Sequence, residues 1–102
     1  MNKYDEEEER DDYVEKLLFV RTGVFYSTKQ RRVKYMDLGY KSPVVVKKPR
    51  EELEVVALAT ELEEEYVFIA YSENLLSICN SKNGIQVKLV TLLPDRVLPS
   101  VR

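Results

Sequence analysis

The 102-residue chain has no histidine, no tryptophan, one cysteine and three glycines. Each shortage removes a class of chemistry. Without histidine there is no side chain whose ordinary pKa lies near neutrality, so serine-histidine, cysteine-histidine and zinc-histidine chemistries are excluded. Cys79 allows no internal disulfide, and its setting, Ser77-Ile78-Cys79, is that of an inert core thiol rather than a nucleophile. Gly23, Gly39 and Gly84 lie far apart and form no phosphate-binding loop. No stretch approaches the roughly 18 consecutive apolar residues of a membrane span, and the acidic start is the opposite of a signal peptide. These absences predict a non-enzymatic protein of the cytoplasm, without cofactor or metal.

What the chain has instead is charge in blocks. Residues 1–15 carry a net −6, residues 16–50 hold ten basic residues against Asp37 alone, residues 51–65 hold seven glutamates and nothing basic, and the remainder is +2. The whole is therefore only −2. Runs of glutamate without a recognisable cleft read as solvated faces rather than acid/base pairs. Abundant Glu, Lys and Arg, with Gln30 and Gln86 the only glutamines, match a thermophilic composition.

Residues 1–12 are too acidic to bury anything and are expected to be a flexible, solubilising tail. The segment Leu17–Thr28, LLFVRTGVFYST, is aromatic and β-branched and predicts a strand, with Gly23 marking a bulge or a close backbone approach. Lys29, Gln30 and Arg31 follow as a turn, Val33–Leu38 as a returning strand, and Pro43–Lys48 as an edge strand that starts on a proline.

Pro49–Glu65, PREELEVVALATELEEE, predicts the central helix. Pro49 suits a first helical turn, and Glu51, Glu52 and Glu54 suit the positive end of the dipole. Leu53, Val56, Ala57 and Thr60 form a stripe that Val55, Leu58, Ala59 and Leu62 widen, which implies burial on two sides. After it come Tyr66–Tyr71 and Leu75–Asn80 as strands, a hairpin turn at Lys82-Asn83-Gly84, a strand over Ile85–Leu93, and a short strand over Val97–Val101.

The element order, helix followed by strands, is thus stated twice. Pairing Phe19 with Phe68, Val24 with Ile78 and Val33 with Val87 predicts an internal repeat. The expected class is α+β: two similar motifs of a helix and an antiparallel hairpin, residues 13–48 and 49–102, in one compact domain. A groove along their joint is the natural place for a partner.

Two readings of function follow. The first is a protein-protein interaction module that binds a peptide or protein segment in that groove or along a sheet edge, with Tyr26, Tyr35, Tyr40, Val44, Val45 and Val46 as contacts. The same edges offer a route to a homodimer. The second is a nucleic-acid-binding accessory protein, in which Lys29, Arg31, Arg32, Lys34, Lys47 and Lys48 neutralise phosphates beside interleaved tyrosines. Against the second stands the acidic pI of about 5.3, and the acidic blocks flanking the basic one.

The absence of an enzymatic motif, the Glu/Lys/Tyr/Val-rich composition and the segments LLFVRTGVFY and YVFIAY framing the central element resemble small soluble proteins of viruses infecting hyperthermophilic archaea, the Acidianus filamentous viruses among them. That resemblance implies a compact fold acting through protein contacts in the host cytoplasm. It implies no catalytic residue.

Overall fold

A computed structural model describes residues 12–39 and 42–92. Eight strands account for its regular structure: β1 (Val14–Val20), β2 (Gly23–Thr28), β3 (Val33–Asp37), β4 (Val44–Val45), β5 (Val55–Thr60), β6 (Tyr66–Tyr71), β7 (Leu75–Asn80) and β8 (Gln86–Thr91). They form two four-stranded sheets in the orders β1-β2-β3-β4 and β5-β6-β7-β8, every pairing antiparallel. Each sheet is a meander of consecutive strands. The expected α+β class is therefore corrected to all-β, with no helix among the described residues.

The largest correction falls on Pro49–Glu65. Arg50–Glu52 makes a turn, Val55–Thr60 is a strand, and the glutamates from Glu61 onward make the next turn, with Glu64 at a positive φ of 59°. The physical reason lies in the six residues VVALAT. When every position of a short run is apolar or small, it satisfies a helical period and an alternating one equally, and β-branched Val55, Val56 and Thr60 tip it toward strand. Val56, expected in the buried stripe, is the extra residue of a β-bulge and is 58% exposed. Similarly, Leu17–Thr28 is not one strand. It folds back at Arg21-Thr22 into the β1–β2 hairpin, with Val20 opposite Gly23.

Reading β5 as a helix also displaced the repeat by one strand. The pairing of Phe19 with Phe68, Val24 with Ile78 and Val33 with Val87 sets β1 on β6, β2 on β7 and β3 on β8. In the fold, β1 corresponds in order to β5, and both first ladders carry a bulge just after their opening pair, at Val14/Lys16 and Val55/Ala57. The expected strand at Val97–Val101 lies outside the described residues.

Alternation along the strands selects the core. In the first sheet Leu18, Phe25 and Tyr35 stand in one cross-strand row facing inward, beside Val33. In the second, Val67 opposite Cys79 and Ile69 opposite Ser77 face the same interior, with Tyr71 and Val55 at one end. Leu53, from the connection between the sheets, completes a single cluster drawn from both. Phe25, Val33, Leu53, Val67, Ile69 and Cys79 are wholly removed from solvent, and each large side chain contributes about 1.5–3 kcal/mol of burial. The Phe25 and Tyr35 rings pack with centroids 4.6 Å apart, and the Tyr35 and Thr22 hydroxyls are 3.0 Å apart.

Gly23 makes that arrangement fit. A Cβ there would sit 2.3 Å from the Met36 carbonyl oxygen and 2.8 Å from the Tyr35 ring, so the close approach read from the sequence is real. β1 and β5 run near each other on one side of the molecule, while β4 and the β7–β8 turn flank an open cleft.

Candidate partner-binding cleft

One wall of this cleft is β4 and the chain that follows it. Pro43 precedes the strand and has no N–H to donate, and only Lys34–Val45 and Tyr35–Val44 pair in register, so β4 is a two-residue edge. Val46 turns inward: it is buried, and its N–H donates to the Val33 carbonyl at 2.8 Å. Because backbone polar groups alternate sides along a strand, the N–H and carbonyl of Val45 point away from β3, toward the open edge. Val44 and Val45 are 54% and 67% exposed.

Lys48 then fixes the wall in place. Its side chain is buried, and its ammonium donates to the carbonyls of Glu51 and Leu53, each at 2.7 Å, and to that of Arg31. One cation thus ties the β2–β3 turn to the connection between the sheets. Burial lowers the Lys48 pKa below the ordinary lysine value and Arg31 adds to that, while the Glu51 and Glu52 carboxylates partly offset it.

The facing wall is the β7–β8 turn. Gly84 adopts φ +76° and its N–H donates to the Asn80 carbonyl at 2.8 Å, while Asn83 Oδ1 accepts from the Ile85 N–H at 2.9 Å. Gly84 lies so close to the first sheet that a Cβ would be 3.0 Å from Val46 and 3.4 Å from the Phe25 ring. Between the walls lies a cleft of about 610 Å³, with Ile85, 62% exposed, across from Val44. Among the described residues its lining includes the exposed Lys47 and no carboxylate.

The proposed contacts therefore separate. Val44 and Val45 are at the cleft; Val46 is its floor; Tyr35 is in the core. Tyr26 is half-buried on the opposite face of the first sheet from Phe25, and Tyr40 lies outside the described residues. Ile85 and Gly84 were not among the expected contacts, since only the tertiary fold brings the β7–β8 turn to β4. The Asn-Gly dipeptide marked the turn but not its neighbour.

The basic set is largely occupied internally. Arg31 pairs with Glu54 at 2.9 Å, Arg32 with Asp12 at 3.4 Å, and Lys29 lies 5.8 Å from the centroid of the Tyr13 ring. Lys48, with its ammonium bound to three carbonyls, is withdrawn from any phosphate. Lys34 and Lys47 make no ion pair among the described residues.

A second hollow of about 340 Å³ mixes Arg21 and Lys82 with Glu63, Glu64 and Glu65. Among the described residues no cluster of three metal-ligating side chains occurs, and no helix is long and apolar enough to cross a membrane. Cys79 is buried 3.4 Å from the Ser77 hydroxyl, and burial pushes its thiol up, which disfavours a thiolate.

No family model, curated protein or solved structure matches the chain. The resemblance to proteins of archaeal viruses accordingly rests on composition and layout alone.

Proposed function

We propose that the protein is an interaction module that accepts an extended polypeptide segment along β4, within the cleft between the two sheets. The observation that carries this reading is the conjunction of a strand edge that no described residue pairs with and exposed apolar side chains on both sides of it: Val44 and Val45 on β4, and Ile85 across the cleft. Strand addition draws affinity from main-chain hydrogen bonds and selectivity from pockets that take alternate side chains. The Val45 amide and carbonyl supply the first, and the Val44–Val46–Ile85 surface supplies the second. Lys47 beside the edge, with no carboxylate among the described lining residues, favours a segment whose β-branched or aliphatic residues alternate with acidic ones.

Chemical-shift mapping with a panel of such peptides tests the reading. Shifts are expected at Val44–Lys47 and Asn83–Gln86, and Val45→Pro, which removes the outward N–H, should weaken binding at least tenfold, about 1.4 kcal/mol. Shifts scattered over other surfaces, or affinity indifferent to Val45→Pro, would sink it.

A further inference from the structure

The outer face of the second sheet, the one turned away from the core, carries almost no charge. One cross-strand row reads Ala57, Ala70, Leu76, Val90; the next reads Ala59, Phe68, Ile78, Lys88. Ala57 and Ala59 are exposed, and Phe68, Ala70, Leu76, Ile78 and Val90 remain half-buried, none of them in contact with the core cluster. An antiparallel sheet with one face in water normally alternates apolar with polar side chains. Here both faces of β6 and β7 are apolar, as they are in strands covered on both sides.

We propose that this face is covered by a second copy of the same chain, in a weak, reversible homodimer. The argument rests on side-chain size. In the first row the small residues stand on β5 and β6 and the bulky ones on β7 and β8; in the second only Ala59, on β5, is small. Consider two such faces packed together about a two-fold axis parallel to the strands. β5 then lies over β8 of the other copy and β6 over β7. Ala57 meets the partner's Val90, Ala70 meets the partner's Leu76, and the stem of Lys88 crosses the partner's Ala59. Its ammonium then reaches toward the partner's Glu61, just beyond the end of β5. Small opposes large throughout the first row and where Ala59 takes the Lys88 stem, while Phe68 meets the partner's Ile78 as the one bulky pair, so that most of the two faces interdigitate as aligned sheets about 10 Å apart require. An axis perpendicular to the strands would set alanine over alanine and leave voids.

The size of the face sets the strength. Four strands of six residues span roughly 19 by 20 Å, about 400 Å² per copy, half of the roughly 800 Å² each partner of a stable dimer buries. The dimer is thus of the weak, concentration-dependent kind. The outer face of the first sheet, which carries Lys34 among its apolar residues, lacks this gradation.

Sedimentation of the full chain over a concentration series up to about 1 mM should show a monomer–dimer equilibrium. Ala70→Glu should shift it at least tenfold toward monomer, whereas Val44→Ser, at the cleft, should not. Treating an equimolar mixture of Ala57→Cys and Val90→Cys chains with a short bismaleimide, which spans facing sheets about 10 Å apart where a direct disulfide cannot, should give predominantly the mixed cross-linked product, a readout that survives even if Ala70→Glu misfolds; buried Cys79 does not compete. A chain monomeric throughout would overturn the proposal and leave the face to a different protein or an apolar surface. Ala57→Cys linking to itself as readily as to Val90→Cys would also overturn it.

Discussion

At the scale of single residues, Lys48 is the least surface-like lysine among the described residues. Its ammonium has carbonyls rather than carboxylates as hydrogen-bond partners, so its contribution is mainly to close the orphaned acceptors of a turn and a linker. Lys48→Met keeps the aliphatic stem but leaves those acceptors unpaired. It should lower stability by about 1–3 kcal/mol in urea unfolding, read as a lower midpoint at unchanged slope. A loss below about 0.5 kcal/mol would show that water replaces the ammonium at no cost.

Cys79 and Tyr71 set the alkaline behaviour. Burial pushes both groups up, from ordinary values of 9.0 for the thiol and 10.0 for the phenol. The folded chain therefore keeps protons that the unfolded chain gives up. Their stabilising contribution is complete below pH 9 and declines as pH rises from there toward the folded values. Lys48 acts in the opposite sense: lowered from 10.5, it releases its proton earlier when folded, so stability gains as pH climbs toward 10.5. The denaturation midpoint of the natural chain should fall between pH 9 and 10. In Cys79→Ala it should hold or rise over that interval, and a parallel fall would exclude the thiol as the cause.

At the scale of elements, legibility followed length and punctuation. Tyr66–Tyr71 and Leu75–Asn80 could be read because each strand is bounded by polar residues; the turn between them, where Glu73 and Asn74 adopt successive positive φ angles of 66° and 63°, carries no glycine to announce it. β5 could not be read, because its first five residues are all apolar and its one polar residue, Thr60, stands at the end, where it reveals no period. The hairpin inside LLFVRTGVFYST was hidden by a turn, Arg21-Thr22, that lacks glycine, proline or asparagine. The cleft was half legible: exposed valines after Pro43 suggested an edge, but nothing local connects them to Ile85.

Gly84 links those two halves, and its backbone leaves little freedom. At φ +76°, with Val46 3.0 Å from where a Cβ would stand, Gly84→Ala must strain the turn and push it off the first sheet. A loss of about 1–3 kcal/mol is expected in thermal or urea unfolding, together with chemical-shift changes at Val46 and Phe25. Intact shifts at both would mean that the turn absorbs the methyl by itself.

At the scale of the whole molecule, the blocks of opposite charge meet across the connection between the sheets. Arg31 of the β2–β3 turn reaches Glu54, and Arg50 reaches Glu73 of the β6–β7 turn and Glu52 beside it. Such exposed pairs contribute about 0–1 kcal/mol each, so their main effect is to cancel field rather than to hold the fold. A polyanion would have to compete for cations already engaged. Salt titration with DNA and RNA is expected to show nothing tighter than about 100 µM at physiological salt. Micromolar affinity, falling steeply with salt and lost in Arg31→Ala/Arg32→Ala, would restore the nucleic-acid reading.

The uninterrupted meanders have a kinetic consequence. Every ladder in both sheets joins strands that are neighbours in the chain, so the search that usually slows β proteins, the pairing of distant segments, is confined to docking one finished sheet on the other. Hairpins close in about 1–10 µs. The rate-limiting event should then be the meeting of Phe25 and Val46 with the Gly84 turn and of β1 with β5. Folding should be fast for an all-β chain, with its transition state at the seam between the sheets rather than within either one.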